Sequence, residues 1–178
     1  MKSFRIWIFC GAALAFFGCE EKTLPSIIST VDSRTLPQQE SWNSTIVVSD
    51  SGRINAIIVA GYIRMSELSR QTQMSQGVNV RFFSREGKQT SVLTSDSGNV
   101  DEATNNLDAR KNVVVISSDS SRMTTEQLFW DNQRQLIYTP AYVQIRSVKD
   151  KLQGHGFESD QSLKNYRIFH VTGQSQTK

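Results

Sequence analysis

Val78-Asn79-Val80-Arg81-Phe82-Phe83, then Arg85-Glu86-Gly87-Lys88, then Val92-Leu93 reads as two strands joined by a hairpin. Val78, Val80 and Phe82 alternate with Asn79 and Arg81, so an extended chain places the apolar three on one face and the polar pair on the other. The four residues after them combine a glycine with three charged side chains, which is turn chemistry. The same pattern holds upstream, where Ile46 to Val48 stops at Asp50-Ser51-Gly52 and Ile54 to Ile63 follows. These short apolar runs bounded by turn residues are expected strands. Met65 to Gln76 has scattered apolar residues without a period, and reads either as one helical turn or as an irregular connection.

Downstream, the sequence reads as a repeat, the alternative being that alternating strands match at some offset by chance. At an offset of 30, Leu93 falls on Met123, Thr94 on Thr124, Val100 on Trp130, Asp101 on Asp131, Leu107 on Ile137, Val113 on Val143 and Val115 on Ile145. The beginning of a third copy, after a slip of one, places Leu152, Phe157 and Asp160 under Met123, Leu128 and Asp131, and the correspondence then fades. Each unit is expected to be strand, turn near Asp101 to Asn106 or Asp131 to Arg134, strand, then a turn such as Ser118-Asp119-Ser120-Ser121. Stacked hairpins follow.

Composition agrees with sheet. Ser, Thr, Asn and Gln number 59 of 178 residues, while apolar residues make up 38% and crowd the start. That implies a thin core with large solvated faces, and it fits neither a polytopic membrane protein nor a helical bundle. The length suits one compact unit with appendages. Lys and Arg total 20 against 17 Asp and Glu, and Lys2 and Arg5 belong to a stretch that looks cleavable. The remaining excess is small and no basic run stands out, so nucleic acid is not an expected partner.

Residues 1–19 read as a signal peptide or membrane anchor. Two positive charges precede Ile6 to Phe17, an uncharged stretch too short to span a bilayer before Glu20, Glu21 and Lys22 end it. It closes on Ala15-Phe16-Phe17-Gly18-Cys19, which resembles a bacterial lipobox whose Cys is acylated. Phe16 and Phe17 stand where a lipobox has an aliphatic and then a small residue, so an uncleaved signal anchor is the alternative. Both leave the body outside the cytoplasm and tethered to a membrane. With Cys10 in the signal and Cys19 as the lipid attachment site, the exported body has no thiol for a disulfide, a metal or a nucleophile. Residues 20–44, with Pro25, Pro37 and many Ser, Thr and Gln, read as a flexible linker. The body is expected over 45–173, with a tail at 174–178.

Several motifs together resemble the LptC family of periplasmic proteins in lipopolysaccharide export, within the wider OstA-like group. They are Ser49-Asp50-Ser51-Gly52-Arg53, Val80-Arg81-Phe82-Phe83, Val92-Leu93-Thr94, Asn112-Val113-Val114-Val115, Thr124 through Asp131, Gly154-His155-Gly156-Phe157-Glu158-Ser159-Asp160 and Val171-Thr172-Gly173. The family-motif positions singled out are Gly154, Gly156, Glu158 and Asp160. The resemblance implies an all-β, antiparallel open β-jelly roll, V-shaped in section, whose apolar interior holds acyl chains of lipopolysaccharide. By parity, the lipopolysaccharide-binding groove is assigned to Val78, Val80, Phe82, Leu93, Val113, Val115, Met123, Leu128, Trp130, Ile137, Val143 and Ile145. The implied location is the periplasm, anchored to the inner membrane. The implied partners are lipopolysaccharide, an inner-membrane Lpt ABC transporter complex meeting the first strand and a downstream periplasmic OstA-like carrier meeting the last.

Catalysis is not expected, and no cofactor or metal site is. His155 sits between two glycines, where a tight bend is the simple reading, and His170 lies on the last apolar run, too far away for ligand spacing. Gly87-Lys88 fails as a phosphate loop because Phe82 replaces the earlier Gly and Gln89 the Ser or Thr. Asp101, Glu102, Asp119 and Asp131 fall in expected turns, where Asp serves local backbone hydrogen bonds. The alternatives to a carrier are a structural or adhesive β-rich surface lipoprotein and an exported hydrolase. Acylation of Cys19 is tested directly: Cys19→Ala is expected to abolish incorporation of radioactive fatty acid and to release the body from membranes, because two or more chains give the stable anchoring that one does not. Continued labelling of the variant excludes lipidation at this residue.

Overall fold

The computed structural model describes residues 39–66, 69–147 and 150–176. The expected signal segment, Cys19 and the linker up to residue 38 lie outside them. The described chain is all strand and turn, with ten strands: β1 (Gln39–Asp50), β2 (Arg53–Ser66), β3 (Gln71–Phe83), β4 (Gln89–Ser95), β5 (Ser97–Asp101), β6 (Asn106–Ser117), β7 (Arg122–Asp131), β8 (Leu136–Arg146), β9 (Asp150–Asp160) and β10 (Tyr166–Gln176). They form one antiparallel sheet in sequential order, with β4 and β5 sharing the place between β3 and β6. The protein is all-β, consistent with an open jelly roll.

Three expectations are corrected. Over its described residues the Met65–Gln76 stretch is mostly strand: β2 runs through Met65 to Ser66, and β3 begins at Gln71. Thr72 and Met74 are buried while Gln73 is exposed, so the alternation exists but is written partly with a polar residue. β1 starts at Gln39, inside the stretch assigned to the linker, and β10 continues to Gln176, into the expected tail. Both are edge strands with one neighbour each. In β1 only Val48 is fully buried, so the pattern that reveals a strand is weak there.

The repeat survives as register. Leu93 pairs with Val115 in β4 and β6, and Met123 with Ile145 in β7 and β8. Val100 pairs with Leu107 and, 30 residues on, Trp130 with Ile137. The three aligned aspartates perform one job at one end of the sheet. Asp101 Oδ1 accepts from the N–H groups of Ala103 (2.8 Å) and Thr104 (3.1 Å), Asp131 Oδ1 from Arg134 (2.9 Å), and Asp160 Oδ1 from Ser162 (2.9 Å) and Lys164 (3.3 Å). A carboxylate two to four residues ahead satisfies turn amides that the ladder leaves unpaired.

A crease of irregularities crosses the sheet. Between Ala60↔Val78 and Tyr62↔Ser75, β3 inserts Gln76-Gly77 opposite one residue of β2. The β4–β5 row breaks at Asp96, whose carbonyl accepts from Gly77 N–H (3.2 Å) and whose N–H donates to the Lys111 carbonyl (3.0 Å). Next, β6 inserts Lys111-Asn112, with φ of +63° and +51°, and β8 inserts Pro140-Ala141 opposite Gly156. Two residues facing one bend a strand and sharpen its twist. Pro140 has no N–H to give a ladder, so the bulge is the place in a central strand where it fits.

Bent along this line, the sheet rolls over on itself. Phe82 on β3 and Trp130 on β7 are three strand positions apart, about 14 Å in a flat sheet at about 4.8 Å per step. Their ring centroids are 5.0 Å apart, edge to face. Asn55 Nδ2 on β2 likewise donates to Asn132 Oδ1 beyond β7, at 3.1 Å. The enclosed face forms a single apolar cluster, in which each fully buried Val, Leu, Ile or Phe contributes about 1.5–3 kcal/mol.

The turn aspartates give the body its acid response. The Ala103 and Thr104 N–H groups hold Asp101 below the usual carboxylate range, and the Ser117 hydroxyl and Ser121 N–H do the same for Asp119. Burial raises Asp160 more than any single bond lowers it, but the bonds from Ser162, Asn165 and Lys164 together prevail. Folded carboxylates with depressed values stabilise the fold fully above the unfolded value of about 4 and lose that contribution as pH falls through the folded ones. Urea midpoints are therefore expected to be flat near neutrality and to drop below about pH 4. Asp160→Ala, which also removes acceptors for Ser162 Oγ (2.6 Å) and Asn165 Nδ2 (2.7 Å), is expected to cost about 1–3 kcal/mol. Asp160→Asn, retaining one acceptor oxygen, should cost less.

Candidate functional site

All twelve residues assigned to the groove lie on the enclosed face. Val80, Phe82, Leu93, Val113, Val115, Met123, Ile137 and Val143 are wholly buried, and Val78, Leu128, Trp130 and Ile145 are no more than 3% exposed. Alternation along each strand and the paired register across them bring these side chains together. The same face also carries residues outside the sequence assignment. Ile58 and Ile63 on β2, Met74 on β3, Leu107 on β6 and Phe157 on β9 belong to the same cluster. Leu107 was within reach of the sequence, since the repeat sets it under Ile137.

This interior is packed, yet not wholly apolar in its bonding. Trp130 Nε1, Ser91 Oγ and Ser159 Oγ are buried with no hydrogen-bond partner. Each such group costs about 1–3 kcal/mol relative to a satisfied one. The interior thus combines a wide apolar surface with a few polar atoms that have nothing of the protein to bind.

Among the described residues the sheet is open at both margins: β1 pairs only with β2, and β10 only with β9. Large apolar side chains stand exposed on these edge strands, Trp42 (61%) and Val47 (53%) on β1 and Phe169 (53%) and Val171 (55%) on β10. Ile46 and Ile168, from the same two strands, pack partly against the core. Unpaired edges with apolar side chains invite strand addition.

The motif Gly154 to Asp160 forms most of β9. His155 is not at a bend: it lies in the strand opposite Tyr142 and His170, with its ring 5.2 Å from that of Tyr142. What the flanking glycines serve is separate. Gly156, at φ +73°, faces the Pro140-Ala141 bulge. Gly154 is where β10 comes closest: an added Cβ would collide with the His170 carbonyl oxygen and stand 2.7 Å from Ile168 Cγ2. Glu158 faces out, 3.8 Å from Arg134, and Asp160 caps the β9–β10 turn. The expected turn roles of Asp101, Asp119 and Asp131 are those observed, while Glu102 accepts from Thr72 Oγ1 at 2.8 Å.

An enclosed apolar face, two open edges and the β9 motif all belong to one architecture, and a family model described as lipopolysaccharide-assembly, LptC-related, matches residues 10–176. The chain belongs to the LptC family. Its place is in lipopolysaccharide transport. No curated protein matches this chain. Among the described residues, no helix of this LptC-family protein is long and apolar enough to cross a membrane.

Gly154 gives a direct test of how the last strand is held. Gly154→Val adds atoms where the β10 backbone passes, so β10 must shift or detach. Hydrogen exchange is expected to accelerate over 166–176 while β6 to β8 stay protected. Unchanged protection of β10 would mean that the close approach does not constrain it.

Proposed function

We propose that this protein carries lipopolysaccharide through the periplasm, with the acyl chains held on the enclosed face of the rolled sheet. It is tethered to the inner membrane through residues 1–19, with Cys19 as the lipid attachment site. It accepts its cargo from an inner-membrane ABC transporter at β1 and passes it to an OstA-like carrier at β10. No bond is made or broken, and the protein is not an enzyme. The observation that carries the reading is the single-face apolar cluster in a sheet whose two margins are unpaired. A structural sandwich has no need of both.

Acyl chains and core side chains compete for the same space, because the twelve groove residues are already packed against one another. Entry therefore requires the two flanks of the sheet to separate along the crease. A closed barrel forbids this, because parting would break a full ladder; here β1 and β10 share none. The cost of exposing packed side chains is returned at about 0.8 kcal/mol per methylene of the incoming chain. Trp130 Nε1, Ser91 Oγ and Ser159 Oγ then meet the polar carbonyl and hydroxyl groups near the head of a fatty chain. Edge strands with exposed Trp42, Val47, Phe169 and Val171 fit partners that extend the sheet and make successive interiors continuous.

A photo-reactive amino acid at Trp130, on the enclosed face, is compared in cells with one at Tyr138, on the outer face. Capture of lipopolysaccharide from position 130 but not 138 is the expected result. Equal capture from both, or capture from 138 alone, would remove the enclosed face as the acyl site.

A further inference from the structure

On the outer face, at the end of the sheet opposite the aspartate-capped turns, three cations meet in register. Arg122 on β7 is the direct cross-strand partner of Arg146 on β8, and Arg146 is that of Lys151 on β9. The residues one step along, Met123, Ile145 and Leu152, are likewise paired; Met123 and Ile145 belong to the core, and Leu152 is half-buried. All three cations are exposed. Like charges directly opposite one another in a sheet repel. No compensating ion pair is present: among the described residues the two ion pairs, Arg110–Asp108 and Arg134–Glu158, involve neither these cations nor their neighbours.

Beside this row lies a second one of the same parity, Thr124, Gln144 and Gln153, also paired in register. The two rows, together with Ile145, Leu152 and Gly173, line a cleft of about 470 Å³. That is within the usual size of a small-molecule site and far more than one tetrahedral anion occupies. Two guanidinium groups and an ammonium supply charge-assisted donors suited to phosphate oxygens. The hydroxyl and the two amides supply neutral donors and acceptors suited to sugar hydroxyls.

We propose that this cleft binds a phosphorylated saccharide, with the phosphate on Arg122, Arg146 and Lys151 and the sugar on Thr124, Gln144 and Gln153. The ligand is either a free sugar phosphate or the headgroup of a glycolipid. The charged and polar contacts are all on residues of the outward parity, while Ile145 and Leu152 bring the cleft to the margin of the enclosed face; binding there does not depend on acyl chains occupying that face. An anion there cancels the repulsion along the row, so binding also stabilises the fold.

The opposed charges make a test with two signs. In the full-length chain at fixed ionic strength, glucosamine 6-phosphate is expected to raise the melting temperature and glucosamine to leave it unchanged. Arg146→Gln removes the central charge, and is expected to weaken glucosamine 6-phosphate binding by calorimetry about tenfold or more while the ligand-free melting temperature holds or rises. Lys151→Gln serves as the second variant, with the same pair of outcomes. Native and phosphatase-treated lipopolysaccharide micelles distinguish the sources: loss of Arg146-dependent binding on dephosphorylation assigns a glycolipid headgroup, and binding of the free sugar phosphate alone assigns a soluble ligand. Equal binding of glucosamine and its phosphate, binding unchanged by both variants, or Arg146-dependent binding seen only with phosphatidylglycerol vesicles would overturn the proposal, the last in favour of a membrane surface.

Discussion

A single sheet of sequential antiparallel strands has no second layer to cover its apolar face. It must cover that face with itself, and everything else in this molecule depends on the crease that lets it do so. Gln76-Gly77, the break at Asp96, Lys111-Asn112 and Pro140-Ala141 fall at one level across successive strands. Each alone would be a local bulge. Aligned, they bend the whole sheet along one line, and the contact of Phe82 with Trp130 is the consequence.

Rolling without closing has a cost and a use. The cost is two margins of unpaired backbone groups, carried by β1 and β10, with exposed Trp42 and Phe169 beside them. The use proposed for it is that the interior opens by movement of the flanks rather than by breaking a ladder. Family membership in lipopolysaccharide assembly fits an architecture of this kind. A protein meant only to be rigid would gain by pairing its edges, and one meant to hold long apolar chains gains by leaving them free for neighbours that continue the sheet.

The two ends of the roll differ in electrostatic character. At one end, three aspartates consume their charge locally, each bonded to the amides of its own turn. At the other, Arg122, Arg146 and Lys151 stand opposite one another without carboxylate partners among the described residues. The first arrangement is self-sufficient. The second leaves field directed outward, and nothing in the local sequence signals it, because the three residues lie up to 29 positions apart and join only by pairing.

Much of this protein is written in local chemistry. Strict alternation at Val78, Val80 and Phe82 specifies a half-buried strand, turn residues at Asp50-Ser51-Gly52 and Arg85 to Lys88 specify hairpins, and the 30-residue repeat specifies their register. Because side-chain parity is a property of the extended chain itself, the inward side of the twelve enclosed residues is legible in the sequence. Edge strands were not: β1 and the start of β3 bury too little, or bury Thr72 in place of an apolar residue, and so lack the pattern. Nor was the crease legible. A bulge is a relation between two strands, two residues against one, and neither Lys111-Asn112 nor Pro140-Ala141 announces it alone. The packed state of the interior, the closeness of Gly154 to β10 and the row of cations are likewise relations across the sheet, and exist only once the partners are in register.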